Sequence, residues 1–299
     1  MELGSNTYEK LMDIIRDTVH KLRNYHSNDV ILIHHDDADG ITSAALVKLS
    51  LEELDYKVKE VCLEKMYPQA LKIIHEQNKD KIIIYVDIGS PHAAKIFEMD
   101  KGKNFIIILD HHDAPYFQKD TLININSEFF GFNGESESSG ATLSYIFAKN
   151  LTERIVQFSH LALIGSYEIP GPIRGLNKIP LEDSIKQKLV KKTSSERYLI
   201  KTISGYIARS TLSKYLTILG SVGYYKGGPR LGIEACIENF PKYIIVKSKE
   251  LENERKKLSK RLLNKLYQEG LHESQNIQWF FDYDFFKGMG TKVIGTFCS

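Results

Sequence analysis

Three short stretches of this 299-residue chain combine carboxylates and imidazoles in a way that suits metal-dependent chemistry. They are HHDDADG at 34–40, VDIGS at 86–90 and LDHH at 109–112. Carboxylates only a few Å apart raise one another's pKa, so such a group needs a positive charge among them. Hard carboxylate oxygens with a few imidazoles suit manganese or magnesium. More than four candidate ligands indicate two cations that share a bridging carboxylate.

Each of these stretches ends a run of apolar residues. The runs are VILI at 30–33, IIIYV at 82–86 and FIIIL at 105–109, and segments with helical spacing separate them. Continuous apolar runs are typical of strands that are covered on both faces. Strands that alternate with helices predict an α/β fold with a doubly wound parallel sheet. Ligand sites in such sheets lie beyond the carboxyl ends of the strands, so we expect the three stretches to converge.

A structural explanation for these residues has to be weighed against the metal site. A single aspartate after a strand is usually a helix N-cap or a turn former, and a lone histidine is usually structural. Capping, however, requires neither the H-x-D-x-D spacing that starts at His35 nor the adjacent pair His111 and His112. The combination therefore favours a metal site. His34 lies outside this spacing, and we expect it to be structural.

Composition limits the class of protein. A net charge of +2 excludes a strongly basic nucleic-acid coat protein but allows local basic stripes. The three cysteines are far apart and form no CxxC pair, which indicates a reducing, cytoplasmic setting. No apolar run approaches the roughly 18 residues that a membrane span needs, so we expect no membrane association.

The motifs resemble a known family. HHDDADG, VDIGS and LDHH resemble the first three motifs of the DHH phosphoesterase superfamily. The segments NSEFFGFNGESESSGATLSYIFAK and SVGYYKGGPRLGIEACIEN are similar to segments of archaeal RecJ-like proteins, a group that includes the nuclease associated with the GINS replication complex. The resemblance implies hydrolysis of phosphodiesters with two Mn²⁺ ions, and Mg²⁺ is a possible substitute.

The resemblance also implies a role for each matching residue. His35 and Asp37 would bind the first metal, and Asp39 and His111 the second. Asp87 would bridge the two metals. The catalytic residues that orient the second site and contact the phosphate would be Asp110 and His112.

The fourth family motif departs from its pattern in this chain. That motif is a glycine followed four residues later by a metal-binding aspartate, and counting from Gly165 gives Ile169 at that place, with Glu168 beside it. Either Glu168 is the metal ligand instead, or the second metal site is weaker. Loss of an anionic ligand matters because metal affinity depends on ligand charge and geometry.

Two basic segments follow the motifs, at 186–201 and at 247–269. In 186–201 we take Lys188, Lys191, Lys192 and Arg197 as candidate contacts to nucleic acid, although such charges often only solvate a surface. We predict a DHH phosphoesterase domain at 1–244, a connecting helix at 245–270, and the beginning of an incomplete DHH-associated domain at 271–299. Within the last region, NIQWFFDYDFF and TKVIGTFCS predict two strands joined around KGMG.

Three functions remain open from the sequence. The first is a manganese-dependent exonuclease on single-stranded DNA or RNA. The second is a largely non-catalytic subunit of a replication complex that binds GINS and single strands. The third is a phosphodiesterase that acts on short oligonucleotides, and the two archaeal-type segments weigh against it.

Overall fold

A five-stranded parallel sheet forms the centre of the protein. The computed structural model describes residues 5–194 and 197–298. The strands are β1 (Asp29–His34), β2 (Lys57–Cys62), β3 (Ile82–Val86), β4 (Phe105–Asp110) and β5 (Leu122–Asn126). Their order across the sheet is β2-β1-β3-β4-β5, and all neighbours are parallel. The predicted doubly wound parallel sheet is therefore confirmed, with β5 as an additional strand that we did not predict.

Helices cover both faces of this sheet. The first five are α1 (Ser5–Arg23), α2 (Ala38–Glu52), α3 (Pro68–Gln77), α4 (Ala93–Asp100) and α5 (Gly140–Leu151). Alternate residues of β3 show how the two layers form: Ile82 and Ile84 face a core with α1, α2 and α5, whereas Ile83 faces a core with α3 and α4. Burial on both faces explains the unbroken apolar runs in the sequence.

A helical layer extends the larger of the two cores. It consists of α6 (Ser159–Gly165), α7 (Lys178–Lys186), α8 (Arg209–Ser221) and α9 (Gly228–Ile237). A small antiparallel sheet lies between α7 and α8 in the chain, with strands β6 (Val190–Lys192), β7 (Tyr198–Thr202) and β8 (Gly205–Ala208). The basic segment 186–201 thus runs from the end of α7 into this small sheet rather than along a helix.

A long helix and a C-terminal segment complete the described chain. Helix α10 spans Lys242–Glu269, which agrees with the helix expected at 245–270. It is followed by the hairpin β9 (His272–Ser274) and β10 (Ile277–Trp279), and then by α11 (Lys292–Cys298). Among residues 5–194 and 197–298, no helix is both long and apolar enough to cross a membrane. The division into domains remains a prediction.

One predicted strand is wrong. Residues 292–298 of the stretch TKVIGTFCS form α11 instead, and β10 pairs with the preceding β9. Helical spacing brings Val293 and Phe297 to the same side of this short helix, where Val293 is buried and the Phe297 ring packs 5.7 Å from those of Phe280 and Phe286. Packing of these apolar side chains overrides the strand propensity of valine, isoleucine and phenylalanine.

Candidate metal centre

The candidate site lies where the strand order of the sheet reverses. Strand β1 is flanked by β2 on one side and β3 on the other, so the connections after β1 and β3 leave the sheet in different directions. Such a switch point opens a crevice at the carboxyl ends of the strands. Residues 35–39 follow β1, Asp87 follows β3, and residues 110–112 end and follow β4. The three sequence motifs therefore meet at one edge of the sheet, as expected.

Asp87 occupies the middle of this crevice. Its backbone is left-handed (φ 59°), a conformation that costs a non-glycine residue roughly 1–2 kcal/mol. The side chain is buried, and its Oδ1 has no hydrogen-bond donor among the described residues although His111 Nε2 lies 3.3 Å away. A strained backbone that carries a buried, unsatisfied carboxylate is typical of a functional site.

Two clusters of candidate ligands share Asp87. One consists of His35, Asp37 and Asp87, and the other of Asp87, His111 and His112. Within each cluster the potential ligand atoms lie within 4.8 Å of one another. His35 Nδ1 is 2.7 Å from Asp37 Oδ2 and 3.7 Å from Asp87 Oδ2. Imidazole nitrogens and carboxylate oxygens around a shared carboxylate fit a pair of manganese or magnesium ions.

Asp39 is held against the beginning of α5. Its two carboxylate oxygens accept hydrogen bonds from the backbone N–H groups of Gly140 (2.9 Å) and Ala141 (2.8 Å). Its Oδ2 also lies 3.5 Å from His111 Nε2, so Asp39 borders the second cluster. A Cβ at Gly140 would come within 2.5 Å of the Asp87 side chain, which leaves no room for any residue but glycine there. The start of α5 thus fixes both carboxylates.

The raised pKa values of the histidines and of Asp39 indicate that the carboxylates of the site favour a positive charge among them. Burial lowers the pKa of His35, but the carboxylates of Asp37 and Asp87 outweigh it and raise that pKa to about 11. Burial also lowers the pKa of His111, but Asp87 and Asp39 outweigh this effect and raise that pKa to about 10. Burial and the charge of Asp87 raise the pKa of Asp39 well above its usual range. Without a metal, the carboxylates therefore hold protons on the imidazoles, and a bound cation would replace those protons.

Hydrogen bonds fix the positions of Asp110 and His112, the two residues expected to be catalytic. Asp110 is fully buried, and its Oδ1 accepts a hydrogen bond from His112 Nδ1 at 2.7 Å. The other oxygen, Oδ2, accepts one from the Ser90 N–H at 2.8 Å. The His112 side chain is about half exposed (47%), so Asp110 fixes one ring nitrogen while the ring faces the cleft. His34 is buried and contacts the His35 carbonyl oxygen through Nδ1 at 2.7 Å, which fits the structural role expected for it.

At the fourth motif, Glu168 rather than Ile169 interacts electrostatically with the carboxylates of the site, although Glu168 belongs to neither ligand cluster. Desolvation and the charges of Asp37 and Asp87 raise the pKa of Glu168 to about 7, even though the residue is partly exposed to solvent. Thr217 Oγ1 donates a hydrogen bond to Glu168 Oε1 at 3.1 Å. Ile169 instead borders a small cavity with Arg209. Glu168 is the acid of this segment that faces the crevice.

Sequence reasoning missed an ammonium group in the site. Lys292, at the start of α11, places Nζ 2.7 Å from Oδ1 of the fully buried Asp36 and 2.9 Å from Asp37 Oδ2. Asp36 lies within the first motif and could have been singled out, but nothing in the sequence connects it to a lysine so distant in the chain. Lys292, together with His35, holds the pKa of Asp37 well below its usual range despite burial.

The four basic candidates separate into two groups. Lys192 and Arg197 line a cavity of about 780 Å³ next to the fourth motif, together with Tyr167, Tyr198 and Arg209. Lys191 instead lies over the Tyr206 ring at 4.1 Å, and Lys188 is exposed at the turn before β6. Arg209 was not predicted, because it is an isolated basic residue in the sequence.

Comparisons with known proteins agree with this fold. Residues 29–166 match the DHH family, N-terminal domain. An uncharacterised protein of Methanocaldococcus jannaschii is 27% identical over 231 residues, which are 72% of this chain and 51% of that protein. The chain thus spans about half the length of this curated relative.

Solved structures show the same architecture. A manganese-bound RecJ exonuclease matches with a TM-score of 0.61 at 16% identity, over 85% of this chain and 69% of that chain. RecJ of Thermus thermophilus in complex with Mn²⁺ matches with 0.60 at 14% identity, over 86% and 40%. CDC45 from Entamoeba histolytica matches with 0.52 at 12% identity, over 85% and 72%. At such low identities these matches establish the fold, which is RecJ-like.

Proposed function

We propose that this chain, whose residues 29–166 match the DHH family, N-terminal domain, hydrolyses phosphodiester bonds with two divalent cations and acts as an exonuclease on single-stranded DNA or RNA. The observation that carries the proposal is the pair of ligand clusters that share the buried Asp87. Manganese is the first choice of metal and magnesium the second, because both prefer carboxylate oxygens and accept imidazole. The RecJ structures that share this fold contain manganese, which supports that choice.

In this proposal the protein divides its ligands between two ions. His35 and Asp37 would hold one ion and Asp39 and His111 the other, with Asp87 available to both. Bound ions of this kind polarise a phosphoryl oxygen and lower the pKa of a water molecule toward neutrality. Neutral histidines are required for metal binding, so His35 and His111 would have to give up their protons for the site to be loaded.

His112 and Asp110 act on the substrate side of the centre. Asp110 accepts the Nδ1–H of His112 and leaves Nε2 to meet a phosphate oxygen. The buried carboxylate also raises the pKa of His112, which favours the protonated ring that stabilises a developing negative charge. We therefore assign the orientation of the ring to Asp110 and the contact with phosphate to His112.

A second candidate function is a largely non-catalytic subunit that binds single strands and GINS. Two observations favour it: isoleucine stands at the fourth-motif position, and CDC45 shares the fold. The third candidate, hydrolysis of short oligonucleotides, uses the same metal centre and differs only in substrate length.

Incubation with end-labelled DNA and RNA of several lengths separates these functions. Shortening of long single strands with manganese, and none with EDTA, is the expected result. Cleavage of di- and trinucleotides alone would support the third candidate. Binding of single strands without cleavage at any manganese concentration would support the non-catalytic subunit and refute hydrolysis.

A further inference from the structure

The cavity lined by Tyr167, Lys192, Arg197, Tyr198 and Arg209, here called the basic groove, has a composition unlike the rest of the cleft. Its volume is about 780 Å³, within the range of small-ligand sites. Three of its described lining residues carry positive charge and none carries negative charge. We propose that the basic groove is a nucleotide subsite, in which Arg209 binds a phosphate and Tyr167 stacks on a base. This inference rests on the proposed function for the identity of its ligand.

Arg209 brings a partly desolvated positive charge to the basic groove. Its Nε donates a hydrogen bond to the Leu163 carbonyl oxygen, and Nη2 lies 3.4 Å from Ser166 Oγ. Burial lowers the pKa of Arg209 to about 10, so the group stays charged at neutral pH although it has lost much of its water. No carboxylate of the described residues forms an ion pair with it. A desolvated guanidinium without a counter-ion is costly, and a bound phosphate would supply bidentate acceptors.

The beginning of α8 lines the same cavity. Ala208 is the N-cap residue and provides no capping side chain, and the first turn contains no acidic residue. Ser210 and Thr211 of this turn border the groove. Backbone N–H groups at a helix start favour anions, so this turn adds to the attraction that the half-buried Arg209 exerts on a phosphate.

Tyr167 offers a platform for a base. The Arg209 guanidinium carbon lies 5.3 Å from the centre of its ring, while 48% of the tyrosine remains exposed. Single-stranded nucleic acids bind through stacking of bases on such rings, with little dependence on sequence. Tyr198, Pro172 and Ile173 provide further apolar surface along the groove.

The basic groove lies near the metal centre. Tyr167 immediately precedes Glu168, the acid of the fourth motif, and Arg209 is close enough to Asp39 for that carboxylate to raise the pKa of the guanidinium. A strand whose reactive phosphate lies at the metals would therefore place a neighbouring nucleotide in the groove. Such a subsite would make the protein bind oligonucleotides in preference to simple phosphate esters.

Binding measured in EDTA tests the subsite independently of catalysis. Fluorescence anisotropy of a labelled ten-nucleotide oligothymidylate would compare the wild type with Tyr167→Leu, Arg209→Gln and Arg209→Lys. We expect Tyr167→Leu to weaken binding about tenfold, a value within the range for one stacked base. Arg209→Gln should weaken binding and lower the slope of log K against log salt by about 0.7, the value for one phosphate contact on a single strand. Arg209→Lys should retain that slope.

Tyr243→Leu is the matched control, because Tyr243 is also about half exposed (54%) but lies at the beginning of α10, outside the groove. It should bind like the wild type. Thermal unfolding identifies any Arg209 variant that fails to fold, and Tyr167→Leu then decides alone. Wild-type affinity in folded Tyr167→Leu and Arg209→Gln would overturn the subsite even if manganese-dependent hydrolysis occurs. Weakened binding in both, with no hydrolysis by the wild type, would support the subsite and refute the proposed catalysis.

Discussion

Replacing Asp87 by asparagine should remove the response of the protein to manganese while its metal-free fold remains. Asparagine has nearly the same size as aspartate and tolerates the left-handed backbone that Asp87 adopts (φ 59°). The substitution removes one charge from both ligand clusters and relieves its repulsion with Asp39. It also removes the attraction between Asp87 and the charged rings of His35 and His111, which offsets the relieved repulsion, so we expect the metal-free variant to keep its fold with a stability close to that of the metal-free wild type.

The expected magnitudes follow from linkage. Manganese at 100 times its dissociation constant adds about 2.7 kcal/mol to the free energy of unfolding when it binds only the folded state. For a chain of 299 residues that corresponds to a rise in melting temperature of roughly 4 °C. Outer-shell changes at metal sites already cost 10–100-fold, so loss of the shared carboxylate should reduce hydrolysis at least ~100-fold. Differential scanning fluorimetry and an end-labelled nuclease assay measure the two effects.

Asp80→Asn is the control for this experiment. Asp80 also has a left-handed backbone (φ 58°), but it is exposed and precedes β3, whereas Asp87 follows this strand. It should retain the wild-type shift and rate. If Asp87→Asn kept the full manganese-induced shift, or a rate within about tenfold of the wild type, the assignment of Asp87 as a shared ligand would be wrong.

Lys188 and Lys191 lie outside the basic groove. Replacing both by alanine should flatten the salt dependence of long-strand binding by about 0.7 per lost phosphate contact and leave dinucleotide cleavage nearly unchanged. An equal loss for both substrates would contradict this. Glu168→Gln should weaken binding of manganese at the second of two sites, as measured by titration calorimetry. If Ile169→Asp instead made manganese bind more tightly at that site, position 169 would be the ligand position. His160 is buried, which lowers its pKa to about 4. The unfolded chain binds this proton near pH 6.5, so stability should fall by about 3 kcal/mol as pH drops from 6.5 to 4. A His160→Leu variant should lose less stability over that range in urea unfolding, and an unchanged profile would refute the assignment.

The sequence was most informative where local pattern and burial coincide. Strands β1, β3 and β4 are buried on both faces, so each appears as an apolar run that ends in its polar motif. Strand β5 was not predicted because Asn124 and Asn126 interrupt its apolar residues. Both asparagines can be buried because their side chains form hydrogen bonds, including bonds with Ser90.

The parts that were missed depend on packing between distant segments. No local pattern brings Lys292 to Asp36, and none distinguishes Arg209 from any other surface arginine. The basic segment was recognised as charged, but its strand geometry was not. Because side chains alternate along β6, Lys191 packs on Tyr206 while its neighbour Lys192 lines the basic groove.

The ion pair of Lys292 has a consequence for the order in which the protein folds. All residues of the two ligand clusters lie within 35–112, whereas Lys292 is 255 residues away from Asp37 in the sequence. Contacts of such high sequence separation require closure of a very long loop and tend to form late. The carboxylates of the two ligand clusters would then come together before the ammonium group of Lys292 reaches them. During synthesis and refolding, the crevice would therefore be open to a divalent cation before α11 docks, and metal loading and the docking of this helix would be coupled in time.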